Sequence, residues 1–353
     1  MGADIFRLQS YFPKDALIFQ KNLRKGWSRD TMIKHNEGRS FFMKSKETAH
    51  VNLAFLLTVI VYLAVSFCIE LWQVVTKSEL AFPPLIIISQ LGLFAVPFLY
   101  AVKKGNIRES LGFHKISVGT GVLVVLLMIC LEPVLTFINA LSQCFVDAPT
   151  TEMITEQSKV YPFPVMFLLV AVLPAFCEEI VYRGVFFRTY RKEAVVPGAL
   201  LSAFLFGVLH GNLNQFAYAL FMGFVIALTV YVTKSIISGM LMHLTVNGVS
   251  TILLYALQNS ETLQEEVTAA QEKTGQFTVI GVLTDYGFTA LFGGMLAFIL
   301  FQAIARKCSM WRELGEAFRA EGKTKAFFGL FTWPLTAAVA VMIGLMVMSE
   351  FVG

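Results

Sequence analysis

With 353 residues, 56% of them hydrophobic, 33 Phe and only 15% charged, the chain is too apolar for a soluble domain and too charged to lie wholly within lipid. It reads as an all-α polytopic membrane protein, and its formal net charge of +4 needs no nucleic acid, because basic loops facing an anionic leaflet account for it. Cys68, Cys130, Cys144, Cys177 and Cys308 are scattered and lack C-x-x-C spacing, which argues against a disulfide framework or a zinc ribbon.

In chain order, residues 1–50 form a basic tail with Phe6, Leu8, Phe12, Leu17, Ile18 and Phe19 interspersed, the pattern of an amphipathic segment on the cytoplasmic interface. A plain solvated tail fits nearly as well. No apolar core precedes residue 51, so the first span is expected to act as an uncleaved targeting signal. Runs able to cross about 30 Å of hydrocarbon predict spans near 51–72, 82–102, 118–142 and 162–187. Five more are expected near 196–211, 215–233, 236–257, 279–304 and 327–349. The expected bundle, residues 51–353, thus has about nine spans, eight to ten given a short fifth run and a two-residue turn, Lys234-Ser235, after the sixth.

Threading that count with the N-terminus in the cytoplasm puts all of the 28 basic residues except Lys77, Lys159 and Lys273 on one side. The loops holding Lys159 and Lys273 are otherwise acidic, so the N-in orientation follows the positive-inside rule.

The fourth span ends in Cys177-Glu178-Glu179-Ile180-Val181-Tyr182-Arg183. Each charge at mid-bilayer costs on the order of 2.5–3.5 kcal/mol, so three within six positions call for a functional or tightly paired reason. Glu179 and Arg183 are four apart on one helix face, in the favourable Glu-before-Arg order, and Glu179 most simply neutralises Arg183. Glu178 is rotated by about 100° and has no such partner in its helix.

Two histidines lie within apolar runs. His210 closes Phe206-Gly207-Val208-Leu209-His210, and Gly211 completes a Gly-x-x-x-Gly that would let another helix approach. His243 and Asn247, four apart, share a face of the seventh span. From the presumed cytoplasmic ends, Glu178 lies roughly 15 Å deep, His210 roughly 20 Å and His243 roughly 12 Å, a spread that helix tilt absorbs. A carboxylate beside a histidine in an apolar bundle suits a general base that activates water. Glu178 is the expected base, and His210 would share its water or protonate the leaving amine. His243 and Asn247 would donate to the oxyanion of a tetrahedral intermediate. Peptide hydrolysis then needs no Ser or Cys nucleophile, and Cys177 reads as a small packer.

These motifs, Glu178-Glu179-x-x-x-Arg183, Phe206-x-x-x-His210 and His243-x-x-x-Asn247, resemble in order those of the CAAX prenyl endopeptidase and bacteriocin-processing family (CPBP, or Abi). The resemblance rests on residues 177–248, within an expected catalytic core of about 160–257. It implies an intramembrane glutamate protease with Glu178 and His210 activating water, His243 and Asn247 as the oxyanion site, and a peptide or protein substrate, lipidated in CAAX-type members. A bacterial cell membrane is the expected setting. The family is often labelled metalloprotease, yet no His-Glu-x-x-His is present. Glu178, His210 and His243 would be the zinc ligands if a metal were bound, but Asn is a poor ligand and Arg183 brings positive charge, so no cofactor is favoured. Two other classes stay open: a non-catalytic scaffold or bacteriocin-immunity protein of the same fold, and a proton-coupled transporter, which would need Gly/Pro-broken spans in paired halves. Glu132, Gln90, Asn139 and Asp285 have no motif partners and read as kink-associated or interhelical contacts.

Overall fold

The computed structural model describes residues 29–147, 149–264 and 278–352, with side chains at 46–147, 150–264 and 278–350. The tail's apolar residues from Phe6 to Phe19 and part of the acidic loop around Lys273 lie outside these. By internal contacts the chain divides into two units, Met1–Glu47 and Thr48–Gly353. The described residues are helical, with no strand among them.

Helix α1 is Arg29–Thr76, of which Lys46–Thr76 is long and apolar enough to cross a membrane. There follow α2 (Phe82–Val102), the short α3 (Ile107–Leu111), α4 (Val118–Gln143) and the amphipathic α5 (Pro149–Val160). Next come α6 (Phe163–Tyr190), α7 (Val195–Val208), α8 (Leu213–Thr233) and α9 (Ile236–Gln258). The C-terminal part holds α10 (Val279–Lys307), α11 (Trp311–Arg319), α12 (Lys323–Gly329) and α13 (Trp333–Val352). Side-chain caps start several of these: Ser117 accepts from Thr120 N at 3.2 Å, Asn212 from Gln215 N at 2.8 Å and Ser235 from Ile237 N at 3.3 Å.

Among the described residues eight helices can span a membrane, within the expected range. The fifth expected span is the one that falls short. Its helix, α7, has 14 residues, which cover about 21 Å against about 30 Å of hydrocarbon. It stops because Gly211 takes a left-handed φ of 73° and Asn212 opens α8. Gly211 is therefore a helix breaker, with no neighbouring atom within 4 Å of where its Cβ would stand. Only Gly207 of the Gly-x-x-x-Gly pair permits close packing, since a Cβ there would lie 2.9 Å from the Phe216 ring of α8. The two-residue turn after α8 works as expected, with Lys234 left-handed at φ 56° and Ser235 as the next cap.

Helices α6 and α8 are the most enclosed, with half or more of each window buried, while the other spans bury a third or less. The outer spans turn Phe67, Val74, Ile280, Phe288 and Leu291 outward, as lipid contact requires. Helix α10 packs along α4, where Gly293 lies so close that a Cβ would meet Cys130 O at 2.7 Å, beside Pro133. Near that seam Glu132 lines a separate cavity of about 370 Å³ with Thr136, Thr245, Tyr286 and Thr289.

Candidate active site

The site is built on α6, which widens into π-helical turns at Phe167–Val172 and Ile180–Phe187, on either side of Leu173–Glu179. Such turns recur at functional sites because they displace side chains and free carbonyls. Pro174, just after the first of these turns, has no N–H to donate. In that turn Asn247 Nδ2 of α9 donates to Val170 O at 2.9 Å. In the second turn Ser202 Oγ of α7 donates to Tyr182 O at 2.8 Å. Asn247 thus makes an interhelical hydrogen bond, and its amide has a second N–H besides the one that holds the α6 backbone.

The segment Leu173–Glu179 places both glutamates inside the bundle. Glu179 is 0% exposed and accepts from Arg183 Nη1 at 2.7 Å, so the i,i+4 pair forms as expected. Arg183, also buried, donates Nη2 to Gly223 O at 3.0 Å and stacks 4.7 Å from the Phe206 ring centre. Gly223 makes room for this: a Cβ there would lie 3.1 Å from Arg183 Nη2. Glu179 has a second partner that spacing alone did not reveal. His243 Nδ1 lies 3.0 Å from the same Oε1. A carboxylate only accepts, so Nδ1 carries a hydrogen, and Nε2 is the nitrogen turned toward the other glutamate.

That Nε2 faces Glu178, 3.9 Å from Oε2, too long for a hydrogen bond. The Glu178 side chain is 12% exposed and that of Glu179 is 0%, so only the first is open at all to its surroundings. The other oxygen, Glu178 Oε1, accepts from Gln90 Nε2 of α2 at 2.8 Å. The Gln90 contact is interhelical, as expected, but falls on the carboxylate itself. No sequence signal marks it, because 88 residues separate the partners.

His210 follows the end of α7. Its Nδ1 pairs with Phe206 O at 2.8 Å, leaving Nε2 free. Phe206 stands edge-on between the two histidines, with ring centres 4.8 Å from His210 and 5.8 Å from His243. Of the two, His243 comes within 3.9 Å of Glu178. The turn carrying His210 is held by α13, where Ser349 Oγ donates to Gly211 O at 3.3 Å and Glu350 Oε1 accepts from Leu213 N at 3.4 Å.

Glu178, His210 and His243 do not converge as a zinc triad. Among the described residues no group of three His, Cys, Asp or Glu is disposed to hold a metal ion. Cys177 is buried and free.

Residues 161–249 match the family model described as Type II CAAX prenyl endopeptidase Rce1-like, the family the three motifs resemble. The matched segment contains every motif residue and excludes α1 and α2, hence Gln90. It points to a membrane-embedded protease or hydrolase that acts on protein. No curated protein and no solved structure matches the chain.

Proposed function

We propose that the chain is an intramembrane endopeptidase in which Glu178 activates water for attack on a peptide carbonyl. The observation that carries this reading is the arrangement around Glu178. The cluster's less buried carboxylate faces Nε2 of a histidine whose other nitrogen is fixed by a second, fully buried carboxylate.

In this scheme water sits between Glu178 Oε2 and His243 Nε2. As its oxygen attacks the carbonyl carbon, Glu178 takes one proton. The tetrahedral oxyanion is met by donors on the opposite side, the second N–H of Asn247 being one. The C–N bond then breaks and the proton passes from Glu178 to the amine, giving a new carboxyl and a new amino terminus. His210, with Nε2 free, stands where the water or the leaving amine can be held. Glu179 and Arg183 act by fixing His243 and balancing charge. No step passes through a metal.

The substrate is a peptide or protein segment, and the CAAX-type family makes a prenylated C-terminus the first to test. With the N-terminus in the cytoplasm, the basic ends of α2 and α6 face the inner leaflet, from which substrate would approach Glu178. The decisive experiment compares wild type with Glu178→Gln in proteoliposomes, using a quenched fluorescent farnesylated CAAX peptide, and compares membrane peptides of cells expressing each form. The substitution should lower kcat by at least about 100-fold. A variant that cuts at the wild-type rate would sink the assignment, and full biological function without cutting would identify a scaffold.

A further inference from the structure

We propose that Gln90, outside the family-matched segment, is a positioning residue that holds Glu178 in its reactive orientation. This rests on the proteolytic reading of Glu178 given above.

Gln90 Oε1 is buried and has no hydrogen-bond partner. Leaving such an atom without a donor is costly, and an apolar side chain of similar length would avoid that cost. The orientation that strands it is imposed by Glu178. A carboxylate can only accept, so the amide must turn Nε2 toward Glu178 Oε1, and Oε1 of the amide is driven to the side where no donor stands. The amide therefore serves the carboxylate at a cost to local packing, which is the mark of a functional rather than a stabilising contact.

The consequence is chemical. The two oxygens of Glu178 become inequivalent: Oε1 is occupied by Gln90, and Oε2 is left toward His243 Nε2. A carboxylate free to rotate would present either oxygen at random, whereas this one presents a single basic atom to the water. Helix α2 packs closely on α1 two residues beyond Gln90, where a Cβ on Gly92 would lie 3.3 Å from Val65 Cγ2. Helix α2 therefore adds to the site that the matched segment begins.

Gln90→Leu and Gln90→Met remove the amide at similar length, the second guarding against a packing fault in the first. Both should fold, with thermal midpoints near wild type, and lower kcat for the farnesylated peptide about 10- to 100-fold with KM changed less than about twofold. In a Glu178→Gln background the same changes should cause no further loss, because Gln90 acts through Glu178. A substrate-free readout runs beside this: infrared difference spectra of wild type against Glu178→Gln isolate the Glu178 carboxylate band, which should shift in both Gln90 variants. Wild-type kcat in a folded Gln90→Met protein, or an unmoved carboxylate band, would overturn the assignment. Full activity of Glu178→Gln would instead remove the reading on which it rests.

Discussion

Replacing Arg183 with Met should be far more damaging than replacing both members of its pair. Arg183 is 1% exposed, and its guanidinium meets Glu179 Oε1 at 2.7 Å, Gly223 O at 3.0 Å, the Phe206 ring at 4.7 Å and the Tyr182 ring at 6.0 Å. Taking it away leaves the fully buried Glu179 carboxylate with only the His243 Nδ1–H as partner. Breaking a buried pair from one side costs about 3–5 kcal/mol, because an uncompensated charge remains in a medium that cannot solvate it. Arg183→Met/Glu179→Met removes both charges at similar volume and should return to within about 2 kcal/mol of wild type, the residue being the lost partner of His243. Reversible unfolding in mixed detergent micelles measures the three proteins. A single variant within about 1 kcal/mol of wild type, or a double variant no better than the single, would refute the account of a buried pair. The stable double variant should still cleave poorly, since His243 is no longer held. If it cleaves at the wild-type rate, Glu179 does not orient that ring.

Gly239→Ala places a Cβ 2.6 Å from Glu179 Oε2 and 2.9 Å from Val230 Cγ2, so it should push the carboxylate off His243. A loss of about 1–3 kcal/mol in micelle unfolding, with kcat down about 10-fold or more, is expected. Tyr190→Phe deprives Asn52 Oδ1 of a 2.7 Å bond at a buried position remote from the glutamates. It should cost about 1–3 kcal/mol with kcat unchanged. Exhaustive chelation of purified protein should leave peptide cleavage intact, whereas stoichiometric zinc in elemental analysis would contradict water activation by Glu178 alone.

Most of the span pattern was legible because lipid imposes it residue by residue: an apolar run of sufficient length must be a helix. The turn at Lys234-Ser235 and the Glu179–Arg183 pair were legible for the same local reason, each lying within four residues of chain. The transporter reading asks for Gly/Pro-broken spans in paired halves; Gly211 falls between two helices, after α7 has ended beside His210. The same Gly211 was misjudged as a helix-packing residue because a Gly-x-x-x-Gly pattern does not reveal its φ.

Chain order alone thus selected a membrane bundle and singled out Glu178, His210, His243 and Asn247, since charge and imidazole in apolar spans are costly wherever they fall. It left their pairing undetermined. His243 to Glu179, Asn247 to Val170 and Gln90 to Glu178 join residues 64, 77 and 88 apart. Such partners meet only once helices have chosen their rotation and neighbours. That choice depends on packing among all the spans and on the glycines that let backbones close in. The tertiary structure therefore decided which glutamate is fully buried, which oxygen of the other faces the histidine, and that a helix from outside the motif-bearing segment holds it there.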